Sequence, residues 1–169
     1  MRTPSELMIK DSLEWLQEKV FTLWSSVGFN PQTQAFVESL SFEGKAIVSS
    51  RRAMVQARQI YAFAEGLKLK VLDVKEAKFL VETSSKSLIR YYALPSGAIV
   101  HSVSNEGRHE NLDLDLYTQA FAIFGMACAY EILPSAAFKK TALDIVFYLK
   151  SARQNPDGGY TEIKDGKVL

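Results

Sequence analysis

The chain has 169 residues, 47% of them hydrophobic and 23% charged, and a formal net charge of +1. That is enough apolar material for one domain with its own core, and it excludes the basic surplus that nucleic acid or an anionic membrane would require. One cysteine, Cys128, and two histidines exclude an intramolecular disulfide and a Cys/His metal cluster.

The N-terminus is polar and lacks the apolar core of a signal peptide. No run approaches the roughly 18–20 apolar residues of a membrane span, so the cytoplasm is the expected compartment. Leu7 to Trp24 reads as a helix, because Leu13, Leu16, Val20, Leu23 and Trp24 recur at helical spacing, with Asp11 or Ser12 as its cap. Gly28-Phe29-Asn30-Pro31 ends it. Within 35–47, Phe36 to Phe42 alternates as a strand, Glu43-Gly44-Lys45 turns and Ala46-Ile47-Val48 returns, which predicts a hairpin.

A second helix follows over Arg51 to Leu67, capped by Ser49 or Ser50, with apolar groups all round that imply burial on more than one side. A third spans Leu72 to Tyr92 and stops at Pro95-Ser96-Gly97. Gly97 to Val103 reads as strand before an Asn105-Glu106-Gly107 turn. The fourth helix is Asp113 to Glu131, the fifth Ala136 to Arg153, and Tyr160 to Gly166 reads as a third hairpin. Cys128 and the aromatics Phe121, Phe124 and Tyr130 are assigned to the core.

Three segments align: Gln34 to Leu40, Gly97 to Val103 and Gly158 to Lys164, with starts 63 and then 61 residues apart. Each is followed by a turn glycine, Gly44, Gly107 or Gly166. The unit is therefore outer helix, hairpin, inner helix, repeated along a single domain over 1–169. Two full units are present, plus an outer helix and a hairpin. An apolar flank is expected on the fourth and fifth helices, including Ile123, Phe124, Ile145, Val146 and Phe147, and such a flank asks for a partner.

Particular residues then point to a family. Trp15-Leu16-Gln17-Glu18-Lys19, Leu23 to Asn30, Phe36 to Leu40, Arg51-Arg52-Ala53-Met54-Val55-Gln56-Ala57-Arg58-Gln59-Ile60-Tyr61, Val100 to Val103 and Asp115 to Phe121 together resemble the N-acylglucosamine 2-epimerase family. The branch they most resemble is that of bacterial mannose-6-phosphate isomerases and mannose isomerases. The resemblance implies a mainly α fold, an (α/α)6 toroid with short β-hairpins between outer and inner helices, of which this chain is the N-terminal half. It departs from the family at Gln34-Ala35-Phe36, where Gly-Gly-Phe is usual. The family's Asn-x-x-Met-His-like motif and a further histidine near its C-terminus are not found here.

The implied reaction moves a proton at the carbon beside a sugar carbonyl, on mannose, mannose 6-phosphate or an N-acylhexosamine. It needs an acid and base near neutral pKa and a donor facing the developing oxyanion. Arg58 is placed by the resemblance as the oxyanion-stabilising, substrate-contacting arginine; its competing reading is a pair with a carboxylate. Arg52 faces the toroid mouth, binds phosphate or is solvated. Glu38, His101 and Glu162 take equivalent places in the three hairpins, with His101 the candidate proton donor or else a cross-strand polar partner. His109 lies in a polar stretch and is expected in solvent. Tyr117 and Gln119 open the fourth helix and are candidates for sugar hydroxyls, while Asp113 and Asp115 suit a helix N-terminus. No cofactor or metal is expected. The partners expected are a sugar or sugar phosphate and a companion C-terminal half or a second copy, with no nucleic acid and no membrane. Two further readings stay open: a non-catalytic split-gene product that docks with a companion half, and a helical-repeat binding module.

Overall fold

The computed structural model describes residues 3–164 and 167–168. The first helix, α1 (Pro4–Trp15), starts earlier than its apolar stripe does. Its cap is Thr3 rather than Asp11 or Ser12. Thr3 Oγ1 accepts from the Glu6 N–H and the Glu6 carboxylate accepts from the Thr3 N–H at 2.7 Å, a reciprocal capping box with Pro4 at the first helical position. The helix continues through a π-helical stretch, Leu16–Phe21, into α2 (Thr22–Ser26). Thr22 Oγ1 donates to the Gln17 carbonyl five residues back, in keeping with the wider turn. The wider turn brings Phe21 into the core, while Val20 stays half-buried.

The predicted first hairpin is two strand pairs. β1 (Phe29–Asn30) pairs antiparallel with β2 (Ala35–Phe36), so Phe29 and Asn30 form a strand where a helix terminator was expected. β3 (Ser39–Leu40) pairs with β4 (Ala46–Ile47) around the expected turn, with Gly44 at φ +73°. β5 (Arg51–Arg52) replaces the expected first turn of the second helix. It pairs with β6 (Ser102–Val103), which pairs with β7 (His109–Asn111). The helix α3 therefore runs Ala53–Lys68 and takes no side-chain cap from Ser49 or Ser50. The Ala53 N–H instead donates to the His101 carbonyl at 2.9 Å, so a neighbouring hairpin satisfies one of its orphan donors.

α4 (Val74–Tyr92) is capped by Asp73, and α5 (Leu116–Ile132) by Asp115, leaving Asp113 outside the helix. α6 spans Ala136–Ala152. β8 (Ile163–Lys164) pairs with β9 (Lys167–Val168); Asp165 and Gly166 of the expected third hairpin lie outside the described residues.

α3 and α5 are inner neighbours, with α4 against α3 and α6 against α5 on the outside. Small residues let the inner pair touch. A Cβ added at Gly125 would stand 2.9 Å from both the Cα and the Cβ of Ala57. Phe63 of α3 meets Phe21 edge-on at 5.3 Å and stacks on Phe36 at 5.0 Å, which ties the first outer helix and hairpin to the inner layer.

The repeat is built into the hydrogen bonds. Gln56 Oε1 accepts from the Phe36 N–H at 3.0 Å, and its Nε2 donates to the Phe36 carbonyl at 2.8 Å. Gln119 makes the same two bonds with Ile99, at 2.9 and 2.7 Å. Each clamp thus pairs both main-chain polar groups of a buried strand residue, and leaving one such group unpaired costs about 1–3 kcal/mol. Tyr92 Oη donates to the Arg51 carbonyl, and Arg153 Nη2 donates to the Leu114 carbonyl at the same place one repeat later.

Of the expected apolar flank, Ile145 is fully buried and Ile123 and Val146 are half-buried. Phe147 is 73% exposed and Leu143, one turn before it, also faces out. Among the described residues, no helix is long and apolar enough to cross a membrane.

Candidate functional site

The hairpins converge on the N-terminal ends of the inner helices. The Glu38 carboxylate accepts from both the Arg52 Nε, at 2.5 Å, and the Arg52 main-chain N–H, at 2.8 Å. Arg52 is the N-cap residue of α3. One repeat later, His101 Nδ1 lies 3.0 Å from Asp115 Oδ2, and Asp115 is the N-cap residue of α5. Its other oxygen accepts from the Thr118 N–H at 2.8 Å. Glu162 of the third segment accepts from the Leu116 N–H at 3.0 Å, at the first position of α5.

Partial burial raises the Asp115 carboxyl's pKa, but the hydrogen bonds from the His101 ring and from Thr118 outweigh it and hold it below the ordinary aspartate value. His101 sits outside the strands with its side chain 30% exposed, so its partner is a helix cap rather than a facing strand. His109 is exposed as expected, and its Nε2 donates to the Tyr91 carbonyl at 2.9 Å.

Below this rim the exposed faces of α3 and α5 form a wall. Arg58 is exposed, and none of the ion pairs among the described residues involves it. Its Nη2 donates to Tyr117 Oη at 2.5 Å, and its guanidinium lies 4.4 Å over the Phe121 ring. Aromatic faces hold such a cation without neutralising it. Tyr117 packs on Phe121 at 4.8 Å, and Tyr61 packs on Phe124 at 4.9 Å. A shallow depression of about 320 Å³ is lined by Ala120, Phe121 and Phe124. At the far end, Lys68 bridges Glu65 and Glu131 at 2.8 Å each, close to buried Cys128; burial raises the pKa of that thiol.

The structure thus joins Arg58 to Tyr117, Arg52 to Glu38 and His101 to Asp115. Gln119 stands apart from them. It is fully buried and both ends of its amide bond Ile99, so it has no exposed atom for a ligand. Phe124, read from sequence both as core and as part of an apolar flank, is 40% exposed on the wall, and Tyr130, read as core, is 38% exposed. Phe121 and Tyr61 were not singled out for the wall in the sequence, whereas Phe124 belonged to the expected apolar flank. Asp115 was read only as a favourable N-terminal charge.

A family model for N-acylglucosamine 2-epimerase (GlcNAc 2-epimerase) matches residues 35–168. A mannose-6-phosphate isomerase of Rhizobium meliloti (strain 1021) is 32% identical over 121 residues, which are 71% of this chain and 30% of the relative. A cellobiose 2-epimerase from Spirochaeta thermophila DSM 6192 superposes with a TM-score of 0.82 at 17% identity, over 94% of this chain and 40% of that one. A D-mannose isomerase superposes with a TM-score of 0.81 at 18% identity, over 95% of this chain and 41% of that one. The chain therefore spans between 30% and 41% of the length of these relatives. The structural likenesses show the fold, a partial (α/α)6 toroid.

Proposed function

The chain belongs to the N-acylglucosamine 2-epimerase family, and from that premise we propose that its inner wall binds a mannose-type hexose for proton transfer at C2. The observation that carries this is Arg58, an exposed guanidinium with no carboxylate partner among the described residues, seated over Phe121 and bonded to Tyr117. The aromatic wall offers apolar area to the C–H face of a pyranose. Arg58 and Tyr117 supply donors at one edge of it, where a sugar carbonyl becomes an oxyanion.

In the proposed step the C2–H bond breaks and its electron pair forms the C1–C2 double bond. The C1 carbonyl π pair moves onto O1, which Arg58 stabilises, and the proton passes to His101 Nε2. Return of that proton to C1, with the O2 hydroxyl proton passing to O1, completes an aldose–ketose isomerisation. His101, tied to the cap residue of the helix that carries Tyr117, is the histidine this chain offers for proton transfer. Arg52 was the residue considered for a phosphate; its Nε is taken by Glu38, which supports the unphosphorylated sugar.

The test is exchange of the C2 proton of mannose in D2O, followed by NMR with the purified chain. Exchange above the protein-free rate, lost in Arg58→Ala and in His101→Gln, is expected; loss of one acid/base group typically costs about 10²–10⁴ in rate. A folded sample that neither exchanges C2 nor shifts its Tyr117 and Phe121 resonances with mannose overturns the proposal.

A further inference from the structure

We propose that a second copy of this chain docks head to tail, with α1 of one copy lying along the exposed face of α6 of the next. Both are outer helices of the repeat, α1 opening the first unit and α6 the third. They lie at opposite ends of the α3–α5 pair. Phe21 ties the continuation of α1 to Phe63 of α3, and α6 packs on α5. The two faces of one copy therefore do not cover each other, and the contact carries the outer layer from one copy into the next.

Each face is apolar in its middle. On α6, Leu143 and Phe147 are one turn apart and exposed. Lys139 lies one turn before Leu143 and Lys150 one turn after Phe147, so the four form a single row with a lysine at each end. On α1, Met8 is 70% exposed and Trp15, two turns on, is 59% exposed. Asp11 stands between them and Glu18 follows Trp15 by one turn on the same side. None of the 12 residues of α1 is buried, and a helix of that length is marginal in water without a packed face.

Charge selects the occupant. The α1 row is acidic and the α6 row basic, and none of the ion pairs among the described residues involves Asp11, Glu18, Lys139 or Lys150. Met8 to Glu18 and Lys139 to Lys150 also match in length, each about 15–17 Å at the helical rise. Two α6 faces set against each other would oppose lysine to lysine, and two α1 faces carboxylate to carboxylate. Only α1 on α6 brings unlike charges together around the apolar contact. Such a contact joins two different patches, so each pair of copies keeps one open α1 and one open α6 and the assembly can grow past a dimer.

The test is light scattering on the full chain and on two variants, each with one face closed. Met8→Lys with Trp15→Lys closes α1, and Leu143→Glu with Phe147→Glu closes α6. All four side chains are exposed, so both variants should keep the circular dichroism spectrum of the parent. The parent's mass should rise beyond that of a dimer with concentration, while each variant alone should stay a monomer. Mixed in equal amounts, the open α6 of the first variant should take the open α1 of the second, and the mass should double and stop there. A folded variant that associates as the parent does, or a mixture that stays monomeric while the parent associates, overturns the head-to-tail contact. A parent that is monomeric at every concentration also overturns it, and leaves both faces to a different partner such as a companion chain.

Discussion

At Asp115 one carboxylate caps a helix and receives a histidine, and both contacts favour its ionised form. Its pKa is lowered on folding, so it contributes stability above the unfolded aspartate value and loses that contribution as the pH falls through the lower, folded value. The unfolding free energy should therefore fall as the pH drops through the ordinary aspartate range and below it. In Asp115→Asn, which still caps, that dependence should be shallower in urea titrations across the same range. An identical slope in both proteins would show that the carboxylate gains nothing from its partners. Gln119 marks where reading single residues stops. A glutamine at the start of an inner helix looks the same in sequence whether its amide meets a sugar or a strand. Only the position of Ile99, twenty residues earlier, decides between them.

At the scale of elements, the contact of α3 with α5 depends on small residues facing each other. Gly125→Ala puts a Cβ within 2.9 Å of Ala57 Cα, a main-chain atom that cannot swing aside. The cost should be about 1–3 kcal/mol, seen as a lower thermal midpoint, because overpacking forces the helices apart. A midpoint unchanged within a degree would mean the inner pair has slack. The starts of these helices differ from the sequence expectation for two reasons. Arg51-Arg52 look like a first turn, but β5 is recruited into a sheet by β6 from the following repeat, and a local pattern carries no trace of that pairing. Asp113 and Leu114 precede α5 because Asp115 takes the cap and the Asp113 N–H donates to Asn111 Oδ1. The early start of α1 was legible in Thr3-Pro4-Ser5-Glu6, a capping-box spacing that lay outside the apolar stripe.

Over the whole molecule, apolar side chains remain on the outside of α6. Phe147 at 73% exposure and Leu143 at 56% stand one turn apart, and large exposed patches of this kind drive association. The chain should show mass above that of a monomer in light scattering as concentration rises. Leu143→Glu with Phe147→Glu should restore a monomer without changing the circular dichroism spectrum. Equal, concentration-independent masses for both proteins would show that this face is not adhesive. The inner wall is apolar as well, but its rings pack on one another and on Arg58, and that cation keeps water at the surface.

By itself the sequence determined the repeat of outer helix, hairpin and inner helix, the family and the turn glycines Gly44 and Gly107. These are either periodic, and so visible as spacing, or carried by a run of adjacent residues. Tertiary structure alone decided that Phe121 lies under Arg58 on the wall, that Gln119 clamps a strand, that Glu38 neutralises Arg52 and that His101 meets Asp115. Each of those depends on which face of an inner helix is left uncovered, or on which hairpin reaches which helix end. Residues 14 to 20 positions apart in sequence meet only when each hairpin folds back onto the start of the inner helix that follows it.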